Sequence, residues 1–159
     1  MPELAEYVAE TLDIGPGTEL FEVACGAGEF LIPLYDNGYI VGGLDANPAL
    51  IAEARGAMPD GRFSAGFLTE LDPAVPWQVV VCRAFGAFPD VDYARGVLAR
   101  MAAKATHAVA LLDVPEDRYD QRWVLRAFAE IGVAAIQIEA SKVADGSTTP
   151  PRFNVFARL

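Results

Sequence analysis

Two acidic residues bracket a glycine-rich turn near the start of the chain. Glu22 lies at the end of an apolar segment, and the turn that follows it contains Gly26 and Gly28. A second acid, Asp45, ends the next apolar segment. A glycine turn lets backbone approach a ligand closely, and an acid at this position typically accepts hydrogen bonds from ribose hydroxyl groups. The pattern therefore indicates a nucleoside-binding pocket.

Strands and a helix must position these residues. Apolar runs predict strands at residues 19–24 and 39–44, so that Glu22 and Asp45 belong to the carboxyl ends of neighbouring strands. A helix is predicted at residues 29–35, directly after the turn. Strand, glycine turn, helix, strand and acid is the usual order in an α/β nucleoside pocket.

The rest of the chain continues this alternation. Further strands are predicted at residues 62–65, 79–82, 107–113, 133–140 and 152–159. Further helices are predicted at residues 4–12, 48–55, 92–103 and 117–131. The order predicts an α/β fold with a doubly wound, mostly parallel seven-stranded sheet. The last two strands, joined by a polar loop containing Asp145 and Gly146, are expected to form a C-terminal antiparallel hairpin.

The composition predicts one globular domain at residues 1–159. Hydrophobic residues make up 53% of the chain, which excludes a disordered protein and leaves a homodimer open. The net charge is −10, and the 12 Lys and Arg residues are scattered. Phosphate contacts need clustered basic residues, so no nucleic-acid partner is expected.

Cysteine usage and the apolar pattern predict a cytoplasmic location and no membrane partner. Cys25 and Cys82 form neither a spaced disulfide framework nor a zinc motif, so no metal is expected. The first residues, MPELAEYVAE, are acidic and amphipathic, unlike a signal peptide. No apolar run approaches the roughly 18 residues that a membrane span needs.

The glycine turn departs from the two common phosphate-binding motifs. The third glycine of a dinucleotide fingerprint falls on Leu31, and no Gly-Lys-Ser/Thr follows the turn. A ligand without phosphate is therefore favoured over NAD(P), which we keep as a third interpretation. In that case Glu22 would lie near a positively charged tail of the ligand.

These residues together resemble the class I S-adenosylmethionine-dependent methyltransferases. The first motif of that family is an acid, two residues, then cysteine or a small residue in a G-x-G context, and residues 22–28 read EVACGAG. The acid Asp45 and the terminal hairpin also match the family. The resemblance covers nearly the whole chain, residues 4–159. It implies a Rossmann-like fold and S-adenosylmethionine as the cofactor.

The resemblance also implies a set of cofactor-binding residues. The set is Glu22, Ala24, Gly26, Gly28, Asp45, Ala46, Phe67, Leu68 and Arg83. Its first four members would line the methionine end of the cofactor, and Asp45 would hold the ribose. Ala46, Phe67 and Leu68 would lie beside the adenine, while Arg83 would border the reactive methyl group.

Three departures from the family pattern bear on function. Ala24 stands where most members have glycine, and Phe67 stands where many have an acid. The Asn-Pro-Pro-Tyr-like motif of enzymes that methylate amides or bases is absent after the fourth strand. Methyl transfer to the oxygen, nitrogen or carbon of a small molecule is therefore expected. The alternative is a protein of this fold that no longer methylates and acts as a binding module or non-catalytic subunit.

No catalytic residue can be assigned from the sequence. His107 precedes the fifth strand, so it should lie away from the ligand crevice. Asp113 should lie on the correct side, where binding substrate, acting as a base and capping the next helix all remain open. Phe85 and Phe88 would either form an apolar wall for the substrate or pack under their loop. Tyr7 would either close over the cofactor or pack in the core.

Overall fold

A computed structural model of the protein describes residues 2–141 and 151–159. The strands are β1 (Glu19–Val23), β2 (Ile40–Asp45), β3 (Arg62–Ala65), β4 (Trp77–Cys82), β5 (Ala105–Pro115), β6 (Ala135–Ala140) and β7 (Arg152–Arg158). The helices are α1 (Pro2–Leu12), α2 (Ile32–Asp36), α3 (Pro48–Ala57), α4 (Val91–Lys104) and α5 (Gln121–Glu130). The predicted polar loop with Asp145 and Gly146 lies outside the described residues.

One sheet of seven strands organises the molecule, in the order β3-β2-β1-β4-β5-β7-β6. The first five strands are parallel, whereas β7 runs antiparallel to both β5 and β6. The predicted fold class and the C-terminal hairpin are confirmed. Because β1 and β4 are central neighbours, their carboxyl ends form the crevice in which ligands of such sheets bind.

Helices cover both faces of this sheet. Alternate residues of a strand point to opposite faces, and Leu20 and Phe21 of β1 accordingly belong to two separate hydrophobic clusters. The cluster around Leu20 contains the buried faces of α1, α2 and α3, while the cluster around Phe21 contains those of α4 and α5. No helix in the described part of the chain is long and apolar enough to cross a membrane.

The connection from β3 to β4 contains only a short 3₁₀ turn, Leu68–Glu70, in place of a full helix. A buried lysine at the end of α4 holds this connection. Lys104 donates hydrogen bonds to the backbone carbonyls of Asp72 and Val75, at 2.7 and 2.8 Å. Its ammonium nitrogen also lies 4.8 Å from the centre of the Phe21 ring. This lysine therefore ties the connection to the sheet.

Two helices begin later than the sequence pattern predicts. α2 begins at Ile32, not at residue 29, because turns continue past the glycines and the Leu31 N–H donates to the Gly28 carbonyl at 2.9 Å. α5 begins at Gln121, not at residue 117. The side chain of Asp120 accepts a hydrogen bond from the Trp123 N–H at 2.7 Å and caps this helix.

Candidate cofactor and acceptor site

The glycine turn has three residues with positive φ. The φ values are 59° for Ala24, 57° for Gly26 and 83° for Gly28. A Cβ added to Gly28 would lie 2.4 Å from the Met58 methyl group, so the turn packs closely on α3. A Cβ added to Gly26 would meet nothing within 4 Å. The turn thus presents open space at Gly26, on a backbone that only glycine adopts easily.

Asp45 links this turn to the segment after β2. One carboxylate oxygen accepts a hydrogen bond from the Gly26 N–H, and the other accepts one from the Asn47 N–H, both at 2.9 Å. Asn47, not Asp45, caps α3, since its side chain accepts from the Ala49 N–H at 3.0 Å. Each carboxylate oxygen can accept more than one hydrogen bond, so Asp45 retains capacity for ribose hydroxyl groups.

The Glu22 side chain is fully buried. Its Oε1 accepts a hydrogen bond from the Arg83 Nε at 2.7 Å. Within the described residues, its Oε2 is buried and has no hydrogen-bond partner. Burial raises the pKa of Glu22 to about 7, although the Arg83 charge opposes the shift. A buried carboxylate oxygen without a donor is costly and indicates a site for a cationic or hydrogen-bonding ligand.

Arg83 follows β4 and crosses to β1. Its guanidinium carbon lies 5.4 Å from the centre of the Phe30 ring. The pairing with Glu22 follows from the sheet order, because Glu22 pairs with Val81 in the register of β1 and β4. The sequence assigns Arg83 to the site but does not reveal this ion pair, since the adjacency of the two strands is needed to see it.

The residues expected beside the adenine differ in exposure. Ala46 is exposed, and Phe67 retains 66% of its surface in contact with solvent. The Gly66 N–H donates to the Asp45 backbone carbonyl at 3.0 Å, which brings Phe67 to the same end of the sheet as Asp45. The Leu68 side chain is instead buried in the core, which leaves only its backbone groups for a ligand.

A cavity of about 420 Å³ lies beyond the carboxyl ends of β4 and β5. We call it the arginine cavity. Its lining residues are Arg83, Ala84, Gly86, Ala87, Pro115, Asp117, Arg118 and Arg152. Arg83 reaches both Glu22 and this cavity, so it links the cavity to the carboxyl end of β1. The sequence did not single out Arg118 or Arg152, because neither belongs to a motif.

Phe85 and Phe88 do not line the arginine cavity. Both are buried, their ring centres lie 4.9 Å apart, and they pack against Tyr119 and Tyr93. Of the two interpretations open for these aromatics, packing under the loop is the one that the structure shows. The alternative of an apolar substrate wall is wrong.

Asp113 does not cap α5. Its carboxylate forms an ion pair with Arg152 at 3.0 Å and accepts a hydrogen bond from the Ser141 hydroxyl at 3.2 Å. Its backbone has a φ of 59° at an irregularity in the pairing of β5 with β7. Asp113 therefore positions Arg152 at the edge of the cavity.

The remaining candidates lie away from the crevice or are inert. His107 is near the start of β5, at the end of the sheet opposite the carboxyl ends. Tyr7 donates a hydrogen bond to the Glu139 carboxylate of β6 and packs on Phe156. Cys25 and Cys82 are free and buried, and burial raises the pKa of both thiols to about 12. Neither thiol is a nucleophile at neutral pH.

No family model matches the chain. An uncharacterized methyltransferase of Synechocystis is 32% identical over 62 residues, which cover 39% of this chain and 29% of that protein. A 23S rRNA (uracil(1939)-C(5))-methyltransferase of Thiobacillus denitrificans is 34% identical over 75 residues, which cover 44% of this chain and 17% of that protein. The matching segments therefore span less than a third of either curated relative.

Solved structures resemble the chain over almost its whole length. Magnesium protoporphyrin IX methyltransferase from Synechocystis PCC 6803, with bound S-adenosylmethionine, has a TM-score of 0.79 at 18% identity and covers 99% of this chain and 79% of its own. An amino pentose methyltransferase from Micromonospora echinaspora, also with bound S-adenosylmethionine, has a TM-score of 0.75 at 18% identity. The match covers 99% of this chain and 91% of that protein's chain. The chain has the class I S-adenosylmethionine-dependent methyltransferase fold. The resemblance that the glycine turn, Asp45 and the hairpin indicate is confirmed at this level.

Proposed function

We propose that the protein binds S-adenosylmethionine at the glycine turn and transfers its methyl group to a small molecule. The observation that carries the proposal is the buried Oε2 of Glu22, which has no partner in the described residues. Solved structures of the same fold hold S-adenosylmethionine or S-adenosylhomocysteine, which supports this choice of ligand.

The residues present fit each part of this cofactor. Glu22 Oε2, which is buried, would turn toward the cofactor and accept a hydrogen bond from the ammonium group of the methionine tail. The open space at Gly26 leaves room for the nucleoside against the turn. Asp45 would accept hydrogen bonds from the ribose hydroxyl groups while it keeps its bonds to the backbone. The exposed ring of Phe67 would stack on the adenine and compensate for the acid that this position lacks.

The reaction depends on positioning more than on acid–base chemistry. When bound, S-adenosylmethionine supplies an electrophilic methyl group on a sulfonium centre. Glu22 and Asp45 would hold the methionine tail and the ribose of the ligand at the carboxyl ends of β1 and β2. The acceptor would approach from the arginine cavity beside Arg83, and correct alignment alone supplies much of the rate enhancement. This scheme requires neither cysteine, in agreement with their high pKa values.

Titration calorimetry with S-adenosylhomocysteine tests cofactor binding. The wild-type protein is expected to bind one equivalent, and Gly26→Val is expected to lose binding because its side chain would enter the open space. Glu22→Gln should bind more weakly, whereas Glu19→Gln, at the other end of the same strand, should bind like the wild type. Absence of binding by the wild-type protein at millimolar ligand would refute the proposal.

A protein of this fold that binds without methylating remains the second candidate. The left-handed backbone of Ala24 favours it, because an L residue with a Cβ is strained there and the family prefers glycine. The two candidates separate in a single experiment. Cofactor binding with no methyl transfer to any tested acceptor, in wild type and Ala24→Gly alike, would favour the non-catalytic module.

We also propose a small acceptor in place of a nucleic acid. The net charge of −10 supports this choice, because a phosphate backbone would be repelled. The rRNA methyltransferase that matches part of the chain makes RNA the comparison to test. A ribosomal RNA fragment that accepts methyl groups faster than small molecules would reverse the choice. The homodimer and the cytoplasmic location stay predictions.

A further inference from the structure

We propose that the arginine cavity binds an anionic oxygen group, a carboxylate or a phosphate, carried by the methyl acceptor. The identity of the ligand as a methyl acceptor rests on the proposed function, but the binding of the anion can be tested without the cofactor. Three arginines line the cavity together with one acid, Asp117. The whole chain has only 12 Lys and Arg residues and a net charge of −10, so their convergence at one site runs against the overall charge.

Arg118 is the one arginine of the cavity lining that forms no ion pair among the described residues. Its two terminal nitrogens donate hydrogen bonds to the backbone carbonyls of Gly86 and Phe88, at 2.6 and 2.7 Å. Its guanidinium carbon lies 5.6 Å from the centre of the Tyr119 ring. No carboxylate of the described residues forms an ion pair with it. The guanidinium is therefore held in place by neutral groups, forms no ion pair among the described residues and has N–H groups left for a ligand.

The other two arginines are anchored differently. Arg83 is paired with Glu22 and Arg152 with Asp113, each through one nitrogen. Each anchor fixes the stem of the side chain and leaves the rest of the fork at the cavity. Planar guanidinium forks match the oxygens of carboxylate and phosphate groups, and little entropy is lost when the fork is already fixed.

The remaining wall lets a ligand approach. Ala84, Gly86 and Ala87 have small side chains, and Gly86 and Ala87 are exposed. A bulky apolar wall is absent from the described lining, because Phe85 and Phe88 are buried beneath it. The cavity thus favours a small, charged group over an aromatic one. Arg83 would place that group next to the reactive methyl.

The test uses side-chain NMR signals of ¹⁵N-labelled arginines, without cofactor. The probes are succinate, inorganic phosphate and neutral succinamide. The Arg118 Nε–H signal is the one that disappears from the spectrum of Arg118→Gln. We expect succinate, phosphate or both to shift the Arg118 signal saturably, and succinamide to leave it unchanged. The anion with the lower dissociation constant identifies the preferred group. No saturable shift with either anion at millimolar concentration would overturn the proposal, as would equal shifts with succinamide.

A matched pair of variants keeps the test independent of folding. Ala87→Glu adds a negative charge to the wall, while Ala87→Gln adds the same volume without charge. We expect the glutamate variant to lose at least roughly tenfold in affinity for the anion and the glutamine variant to stay close to wild type. Equal affinities in the two variants would overturn the proposal. Arg126→Gln, on the exposed face of α5, serves as the control for general charge.

The outcome is separable from that of the proposed function. S-adenosylhomocysteine binding with no anion binding would refute the cavity and leave the cofactor site standing. Anion binding without S-adenosylhomocysteine binding would refute the proposed function and leave an anion site whose ligand is not a methyl acceptor.

Discussion

The carboxylate of Glu22 is bonded to Arg83 through one oxygen and has no partner for the other among the described residues. The pair joins the carboxyl ends of the two central strands. Arg83 also lines the arginine cavity, so one ion pair belongs to both the proposed cofactor site and the proposed acceptor site. The electrostatics of Glu22 therefore affect stability as well as binding.

Glu22 should make the stability of the protein depend on pH. Burial raises its pKa from 4.5 to about 7, so the folded state binds its proton more tightly than the unfolded state. The resulting stabilisation is complete below pH 4.5 and is lost as the pH rises to about 7. The loss amounts to up to about 3 kcal/mol.

Glu22→Gln isolates this effect. The free energy of unfolding of wild type minus that of the variant, from urea titrations, should fall between pH 4.5 and pH 7. A difference that stays constant over this interval would show that Arg83 keeps Glu22 ionised throughout. Glu19→Gln provides the control on the same strand.

Ala24→Gly should stabilise the protein. The left-handed φ of 59° strains an alanine by roughly 1–2 kcal/mol, while the half-buried methyl group contributes less than about 0.8 kcal/mol. A net gain of about 0.5–1 kcal/mol in the free energy of unfolding is expected in urea titrations. A loss of stability would mean that the packing of the methyl group outweighs the strain. Ala46→Gly, at an exposed position with no positive φ, should not stabilise.

Phe67→Ala should weaken cofactor binding without unfolding the protein. The ring is 66% exposed, so its removal costs little stability, but stacking of a base on an aromatic ring contributes roughly 1–3 kcal/mol. The dissociation constant for S-adenosylhomocysteine should rise at least roughly fivefold. Val75→Ala is the matched control, because Val75 is 52% exposed in the same connection. Equal affinities of the two variants would remove Phe67 from the site.

Lys104→Met should destabilise the connection between β3 and β4. The change removes two hydrogen bonds from a buried ammonium group and leaves the carbonyls of Asp72 and Val75 without this donor. A loss of about 2–3 kcal/mol in the free energy of unfolding is expected. Arg100→Met should cost less, since Arg100 is exposed and donates one bond, at 3.2 Å, to the Leu71 carbonyl. Similar losses for both variants would contradict the role given to Lys104.

The sequence predicts the fold well because apolar runs and glycine turns act locally. β3 agrees with its predicted range, and α3 begins at the predicted residue 48. The predicted start of α5 at residue 117 is wrong, because the Arg118 and Tyr119 N–H groups donate to the Pro115 carbonyl in a turn and Asp120 caps a helix that begins at Gln121. Local patterns cannot distinguish two such alternatives.

Only those residues of the candidate site that belong to a sequence motif could be predicted from the sequence. Glu22, Gly26, Gly28 and Asp45 come together as expected, because the motif specifies their strands. Arg118 lies in the connection between β5 and α5, and Arg152 is the first residue of β7, so their convergence depends on tertiary contacts that no spacing reveals.

Proton release during cofactor binding tests the central claim most directly. S-adenosylhomocysteine carries the ammonium group that Glu22 would meet, so binding should lower the Glu22 pKa and release a proton near pH 7. Calorimetry in two buffers of different ionisation enthalpy measures that release. We predict saturable binding with net proton release by the wild type and little release by Glu22→Gln. Absence of binding, or the same proton release in both proteins, would contradict the account.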